Sequence, residues 1–151
     1  MKKPLTILFL VLLVSCSDEP PPEAPNEVPW YRMIVTNGLT FELDSNEPFT
    51  GVSIQHKNGQ LAHRATYKNG KRVVLEDYYE NGQLQVRVNF KDGEQNGLAE
   101  QFHENGELAT RGNYKDGEQN GQMEHFDKNG QLSRRENYKD GEQDGLYETL
   151  H

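Results

Sequence analysis

Apolar and polar side chains alternate along the second half of the chain. The pattern is clearest between Leu84 and Phe90, where every second residue is apolar. A period of two is typical of a β-strand with one face packed and the other in water. The equivalent positions about 24 residues later keep the pattern more loosely, and one repeat further only the two ends, Leu132 and Tyr138, keep it. We therefore predict strands throughout, the last repeat being the most polar.

Asn-Gly and Asp-Gly pairs separate these segments at regular intervals, and such pairs are strong signals for β-hairpin turns. In the first kind of turn, Asn-Gly is followed by Gln or Glu and then Leu. In the second kind, an aromatic residue and a lysine come before the pair. The glycines of the first kind are Gly59, Gly82, Gly106 and Gly130, and those of the second kind are Gly70, Gly93, Gly117 and Gly141. Both series step by 23, 24 and 24 residues, so the chain is predicted to be a tandem array of β-hairpins.

The length of the first kind of loop follows from the apolar face. Phe102 lies four positions before Gly106, and Leu108 lies two positions after it. A two-residue loop would place Phe102 and Leu108 on opposite faces, whereas a three-residue loop ending in Gly106 pairs them on one face. We predict the three-residue loop at every turn of the first kind, with its glycine in the left-handed region.

From about Gly51 onward the pattern resembles the variant MORN repeats. The matching frames include Asp116-Gly117-Glu118-Gln119-Asn120-Gly121 leading to Phe126, followed by Asn129-Gly130-Gln131-Leu132. The resemblance implies an elongated, twisted antiparallel meander, and the fold class is therefore all-β. One repeat departs from the pattern, because Val73 replaces the glycine found at 97, 121 and 145 and the segment is one residue shorter.

The chain divides into four segments. Residues 1–15 are predicted to be a signal peptide, 16–29 a linker, 30–50 a capping β-hairpin and 51–151 the repeat array. The hairpin is centred on Asn37-Gly38, with Trp30 and Met33-Ile34-Val35 before the turn. A cap is expected because an open sheet end invites aggregation.

The N-terminus has the three zones of a secretory signal. Lys2 and Lys3 are followed by an apolar stretch from Leu5 to Val14, which is too short to span a bilayer. Leu13-Val14-Ser15-Cys16 resembles the lipobox of bacterial lipoproteins. The resemblance implies that Cys16 is acylated and becomes the N-terminus, so that the lipid tethers the protein to the cell envelope.

The segment after Cys16 is rich in proline and acidic residues, a composition that favours an extended stalk. Ser17 resembles the residue that follows the cysteine in outer-membrane lipoproteins, which favours the outer over the inner membrane.

Charge and cysteine content narrow the function. The chain carries a net charge of −8, and without residues 1–15 it retains 14 basic and 24 acidic residues. A nucleic acid partner is not expected, because phosphate backbones would be repelled. The single cysteine rules out an intramolecular disulfide. Only 33% of the residues are hydrophobic, which favours a thin or repetitive fold.

We predict no catalytic residues, no cofactor and no enzyme activity. Glu100, Glu124 and Glu148 recur at one repeat position, which is typical of solvated strand positions in a copied unit. A catalytic carboxyl pair needs one member shifted by burial or by a close charge, and a thin sheet offers little burial. Nucleotide-binding and nucleophile motifs are missing.

No metal site is predicted. His56, His103 and His151 share a repeat position while His63 and His125 do not, and no ligand cluster results. Asp92, Asp116 and Asp140 precede turn glycines, and turn chemistry accounts for them.

One column of aromatic residues has two interpretations. It consists of Tyr67, Phe90, Tyr114 and Tyr138. The residues would pack neighbouring hairpins together, or they would form the floor of a groove for an extended peptide or a glycan. The sequence leaves both open.

The leading hypothesis is an envelope lipoprotein whose repeat array binds or scaffolds a protein partner. Relatives of the variant MORN class are described as antitoxins, and the resemblance extends that label to this chain. The export signal separates it from a cytosolic toxin, so an immunity-like or assembly role fits better. The alternative is recognition of lipid or cell-wall glycan by the tyrosine-rich face.

Overall fold

A computed structural model describes residues 27–149. The predicted signal peptide, Cys16, most of the linker, Leu150 and His151 lie outside the described residues. The strands are β1 (Glu27–Pro29), β2 (Met33–Thr36), β3 (Leu39–Glu42), β4 (Gly51–Lys57), β5 (Gln60–Lys68), β6 (Lys71–Tyr78), β7 (Leu84–Lys91), β8 (Glu94–Phe102), β9 (Leu108–Lys115), β10 (Glu118–Phe126), β11 (Leu132–Lys139), β12 (Glu142–Gln143) and β13 (Glu148–Thr149), with a 3-10 turn at Trp30–Arg32.

Strands β4 to β12 follow one another in the main sheet in chain order, each antiparallel to the next. β13 returns to β11 beside β12. This open sheet of consecutive hairpins confirms the predicted all-β antiparallel meander. Each hairpin contacts chiefly its neighbours, as in other repeat proteins.

The start of the sheet differs from the prediction. Glu27–Pro29, which the sequence placed in the linker, form β1 and pair in parallel with β4. Val28 of this strand is buried. A segment of three residues with one apolar side chain carries no periodic signal, so the composition of the linker concealed it.

The hairpin predicted within residues 30–50 is present as β2 and β3, which pair across Asn37-Gly38. It forms a separate two-stranded sheet and does not cover the edge of the main sheet, because β1 occupies that edge. The hairpin is fastened to the body at Thr40, whose amide donates to the Gly70 carbonyl at 2.8 Å and whose carbonyl accepts from the Phe49 amide at 2.9 Å.

Three of the four turns of the first kind confirm the predicted loop. Phe102 pairs with Leu108, the Gly106 amide donates to the His103 carbonyl at 2.9 Å, and Gly106 has a φ of 87°. The loops at Gly82 and Gly130 have the same left-handed glycine. This three-residue loop therefore recurs at Gly82, Gly106 and Gly130.

The prediction is wrong for the turn at Gly59. Asn58 and Gly59 both have positive φ, and Lys57 pairs with Gln60, which defines a two-residue loop. The other hairpins have an aromatic residue four positions before the turn glycine, and this residue selects the longer loop. This hairpin has Gln55 there, so no apolar pair has to be aligned across the strands. The register shifts by one residue between the pairs Gln55–His63 and His56–Leu61, and this bulge accommodates the shorter loop.

The short second repeat has a simple geometric explanation. In β8, the register shifts by two residues between the pairs Phe90–Gln95 and Val88–Ala99, and Gly97 in this bulge has a φ of 96°. In β6, the shift is a single residue, and Val73 is not left-handed. The missing residue removes the left-handed position, so glycine is no longer needed there.

Neighbouring repeats are also joined along the edge that carries the first kind of turn. Tyr79 Oη donates to the Phe102 carbonyl at 2.8 Å, and His103 Nε2 donates to the Phe126 carbonyl at 3.1 Å. Two asparagines within the loops also bond to the next repeat. Asn81 Nδ2 donates to the Glu104 carbonyl and Asn105 Nδ2 donates to the Lys128 carbonyl, both at 2.8 Å. These bonds tie each turn to the next.

The apolar core is small and lies at one end of the sheet. The buried hydrophobic residues among residues 27–149 are Val28, Phe49, Val52 and Ala65. In the strands after β6, the hydrophobic side chains are at most half-buried. The buried side chains in these strands include the carboxylates of Glu124 and Glu136. The later repeats therefore depend more on cross-strand polar pairs than on a dry interior.

Candidate binding surface

The predicted aromatic column lies on one face of the main sheet, which we call the aromatic face. Its four residues occupy β5, β7, β9 and β11, and all are half-buried. Because they are on alternate strands, successive positions are about 10 Å apart. Among residues 27–149, the one close ring pair that involves the column is Phe49–Tyr67, with centroids 5.8 Å apart. The column members therefore do not stack on one another.

Polar residues fill the positions between the rings. Gln95 pairs with Phe90, Gln119 with Tyr114 and Gln143 with Tyr138. Tyr114 is flanked on its other side by Gly97, which carries no side chain. Each ring of the later repeats thus stands between a glutamine and a glycine, and the glycine places no side chain beside the ring.

Phe90 is the exception in this column. Later repeats have a glycine beside the ring, whereas the equivalent residue here is Val73. In addition, the guanidinium of Arg72 lies 4.4 Å from the centre of the Phe90 ring. A cation over an aromatic face is attracted by the ring's quadrupole. The column is consequently more open at Tyr114 and Tyr138 than at Phe90.

A shallow apolar slot adjoins Tyr114 on the same face. It has a volume of about 190 Å³, and it is lined by Val86, Val88, Ala99, Thr110, Tyr114 and Met123 together with the polar residues Glu100 and Gln101. Gly112 underlies it, and a Cβ at this position would lie 2.8 Å from Met123 Sδ. Glycine therefore lets the methionine lie flat against the sheet, and the slot has the size of one apolar side chain.

The opposite face, which we call the charged face, carries a row of ionic residues that sequence reasoning missed. Directly paired residues across eight strands alternate between arginine and glutamate. The row is Arg64, Glu76, Arg87, Glu100, Arg111, Glu124, Arg135 and Glu148.

Most neighbours in this row form ion pairs. Arg87 Nη2 lies 2.9 Å from Glu76, Arg111 Nε lies 2.5 Å from Glu124, and Arg135 bridges Glu124 at 3.3 Å and Glu148 at 3.6 Å. The hydrogen bond from Arg111, helped by Arg135, holds the pKa of Glu124 below its usual value. The interpretation of this repeat position as solvated is wrong for Glu124, which is buried.

The signal for this row was present in the sequence. Arginines at 64, 87, 111 and 135 step by 23, 24 and 24 residues, as the turn glycines do, and glutamates at 76, 100, 124 and 148 step by 24. Reading the two series together, with the hairpin register, would have placed opposite charges side by side.

Aromatic residues border the charged row. Tyr78 Oη donates to Glu76 Oε2 at 3.3 Å, and burial together with the neighbouring carboxylate raises the pKa of Tyr78. The guanidinium of Arg111 lies 5.5 Å from the centre of the Phe126 ring. Most charges on this face are paired within it, although Glu100 forms no ion pair and the buried Nε atoms of Arg64 and Arg135 have no hydrogen-bond partner within residues 27–149.

The histidines occupy separate places. His63 Nδ1 lies 2.6 Å from Asp77, and His125 Nε2 lies 3.1 Å from Glu136, which also pairs with Arg134. Within residues 27–149 no group of three or more histidine, cysteine, aspartate or glutamate side chains is arranged to hold a metal ion. The aspartates before the turn glycines have positive φ, in agreement with the turn chemistry expected of them.

Comparison with known proteins agrees with this repeat architecture. A family model described as MORN repeat variant matches residues 74–92, 95–116 and 119–140, which lie between β6 and the turn after β11. The chain is thus a β-hairpin repeat protein with three matched MORN-variant segments. No curated protein matches it significantly.

One solved structure with detectable likeness is the crystal structure of accessory secretory protein 1, 2 and 3 in Streptococcus pneumoniae. The identity is 18%, the match covers 78% of this chain and 18% of that chain, and the TM-score is 0.27. This chain therefore spans less than a fifth of that structure, and the likeness carries no functional argument. Within residues 27–149 no helix is long and apolar enough to cross a membrane.

Proposed function

We propose that this protein is a lipid-anchored envelope protein whose aromatic face binds an extended segment of a partner protein. The observation that carries the proposal is the juxtaposition of half-exposed rings and the apolar slot beside Tyr114. Rings at intervals of two strands, with a slot between them, suit a chain that lays side chains across the sheet. The charged face is already neutralised by its own arginines and glutamates, which leaves the aromatic face as the binding surface.

We propose a binding module rather than an enzyme. Three carboxyl groups among residues 27–149 have a pKa displaced from the usual value, Asp92, Glu124 and Asp127, and all three are lowered. A carboxyl group that serves as a general acid near neutral pH needs a raised pKa. Ion pairs and turn hydrogen bonds lower these pKa values, because they favour the charged carboxylate.

Residues on opposite faces give a sharp test of the binding surface. Gln101 lies on the aromatic face and Asn113 on the charged face, and both are exposed. A photo-crosslinking amino acid at 101 is expected to capture a discrete partner in intact cells, and the same group at 113 is not. Tyr114→Ser should abolish the product at 101. Equal crosslinking from both positions, or a product indifferent to Tyr114, would sink the proposal.

The envelope anchor has its own test. Cys16→Ala is expected to move the protein out of the membrane fraction and to remove the lipid detected by intact mass. Density-gradient separation of the two membranes should place the native protein with the outer membrane, as Ser17 suggests. An unlipidated native protein in the periplasmic fraction would contradict the anchor while leaving the binding face untouched.

The anchor also constrains the kind of partner. A lipid-anchored protein outside the cytosol does not meet a cytosolic toxin, so we propose an immunity-like or assembly role instead of a cytosolic antitoxin. Expression of a cognate effector in the periplasm should be tolerated only when this protein carries an intact aromatic face.

A glycan is the second candidate for the same face. Gln119 Nε2 is buried and has no hydrogen-bond partner within the described part of the chain, and it lies next to Tyr114. Such a donor beside a tyrosine ring is a suitable contact for a sugar hydroxyl. Retention of the protein on purified peptidoglycan, lost with Gln119→Leu and kept with Asn113→Ala, would favour this ligand over a peptide.

A further inference from the structure

The hairpin that precedes the repeat array is unusually apolar on its outside. Eight large hydrophobic side chains are exposed among residues 27–149, and five of them lie between residues 30 and 43. These five form what we call the hairpin patch: Trp30 (53% exposed), Tyr31 (70%), Ile34 (42%), Val35 (72%) and Leu43 (43%). The concentration is local, because β4 to β11 together contain one such residue, Leu98.

The hairpin is built to project from the body. β2 pairs with β3 on one side only, and it is β3 that is fastened to the main sheet through Thr40. Thr40 is buried, yet its partner across the hairpin, Val35, is largely exposed. Ile34 and Val35 point to opposite sides of the outer strand, so apolar side chains surround its free edge.

We propose that the hairpin patch inserts into the surface of the membrane that holds the lipid anchor, so that the body lies against the bilayer. The inference rests on the proposed acylation of Cys16, and it concerns a surface outside the repeats. It deepens that proposal, since it adds a second contact and an orientation to the anchor.

The position of the patch along the chain supports this occupant. Ten residues, Ser17 to Asn26, separate Cys16 from the first residue of β1, and they span at most roughly 35 Å when fully extended. β1 is fixed to β4, and Trp30 follows it directly. The tether therefore enters the body beside the patch. A short tether gives a high effective concentration of membrane, so even weak insertion becomes favourable.

The chemistry of the patch fits the interface of a bilayer. Tryptophan and tyrosine prefer the level of the headgroups, and aliphatic side chains reach further into the acyl region. Residues 27–50 carry Arg32 as their single basic group, and its guanidinium is paired with Glu42 at 3.1 Å. Their acidic residues are Glu27, Glu42, Asp44 and Glu47. The occupant is consequently a surface of net-neutral lipids, because anionic headgroups would repel these carboxylates.

The chain contains its own reporter, because Trp30 is its single tryptophan. The mature lipidated protein would be reconstituted into phosphatidylcholine vesicles, with part of the lipid brominated near the headgroup. We expect brominated lipid to quench Trp30 fluorescence and to shield it from aqueous iodide. Ile34→Ser and Val35→Ser should each reduce the equilibrium constant for docking about tenfold. The control pair Leu146→Ser and Tyr147→Ser, exposed at the other end, should change nothing.

Two further measurements separate the ways of failing. Intact mass of the purified protein reports whether Cys16 carries lipid, and therefore tests the anchor alone. Mature protein with Cys16→Ser, mixed with the same vesicles, tests the patch without the anchor: quenching that rises with lipid concentration and disappears with Val35→Ser supports the patch.

Clear outcomes would overturn the inference. The inference would be wrong if iodide still quenched Trp30 fluorescence in the vesicle-bound lipidated protein. It would also be wrong if brominated lipid quenched Trp30 equally well in the Ile34→Ser, Val35→Ser double variant. Shielding that grows with protein concentration, together with a larger sedimenting species, would assign the patch to a second copy of this chain. Shielding in a monomer without vesicles would assign it to another segment of this chain.

Discussion

The two ends of this molecule are held together by different forces. At the N-terminal end, where a parallel strand and an accessory hairpin join the sheet, four hydrophobic residues are buried: Val28, Phe49, Val52 and Ala65. In β8 to β11 no hydrophobic residue is buried, and the buried carboxylates Glu124 and Glu136 are paired with basic side chains. A repeat array can thus combine one apolar end with later units held by register, turns and cross-strand charge. The comparison predicts unequal responses to mutation, heat and acid.

The largest effect is expected at the apolar end. Phe49→Ala removes a buried ring that packs against Tyr67, and it should lower the free energy of unfolding by about 3 kcal/mol. Hydrogen exchange should accelerate mainly in β4 and β5, with β10 and β11 little changed. Tyr31→Ala, at an exposed ring, is the control and should have almost no effect on unfolding. Uniform acceleration across all strands would show that the two ends are a single cooperative unit.

A smaller loss is expected from the left-handed bulge that the later repeats require. Gly121 has a φ of 99°, and nothing lies within 4 Å of the point that a Cβ would occupy, so Gly121→Ala introduces backbone strain without a clash. The expected loss is about 1–2 kcal/mol by denaturant titration. Gln122→Ala, next to it on the same strand, serves as the control. If the two variants were equally stable, the glycine would not be needed for its conformation.

The ion pairs of the charged face should be coupled, but modestly. A double-mutant cycle with Arg111→Met and Glu124→Gln is expected to give a coupling energy of about 1 kcal/mol, because Glu124 is buried while Arg111 is half exposed. The same cycle at the exposed pair Lys57–Glu80 should give a value near zero. Equal coupling at both sites would remove the distinction between the row and an ordinary surface pair.

The mildest perturbation is acid. The pKa of Glu124 is lowered by Arg111, and that of Asp127 is lowered by the backbone amides of Gln131 and Asn129. A carboxyl with a depressed folded-state pKa contributes stability that is present above its unfolded value and is lost as the pH falls through the folded value. The later repeats should therefore loosen first below about pH 4. Amide exchange in β10 and β11 reports this, and Glu124→Gln should flatten the dependence.

Much of the fold could be predicted because strand alternation and turn chemistry are local. Phe102 and Leu108, which are six positions apart, determined a loop length, and the structure has that loop three times. The failures involve partners distant in sequence or absent signals. β1 has a single apolar side chain besides its proline and pairs with a strand that begins at Gly51. The turn at Gly59 was predicted from its Asn-Gly pair alone, without regard to the missing aromatic residue at Gln55 that shortens it.

The surfaces were harder to predict than the strands. The aromatic column lies on one face of the sheet, but whether its rings touch depends on strand spacing, which a single strand does not reveal. The charged row was visible only as two separate series until Arg111 and Glu124 were placed opposite each other. The hairpin patch was missed for a different reason, since apolar residues such as Ile34 and Val35 are expected in a packed cap and their exposure depends on where β2 sits.

The alternating row limits how such an array can change in length. Each unit contributes one strand with arginine and one with glutamate, so adding or removing a whole hairpin keeps opposite charges adjacent. Gain or loss of a single strand would bring two glutamates or two arginines side by side at the junction. Duplication in steps of one complete hairpin is therefore the growth that the electrostatics of this face tolerates.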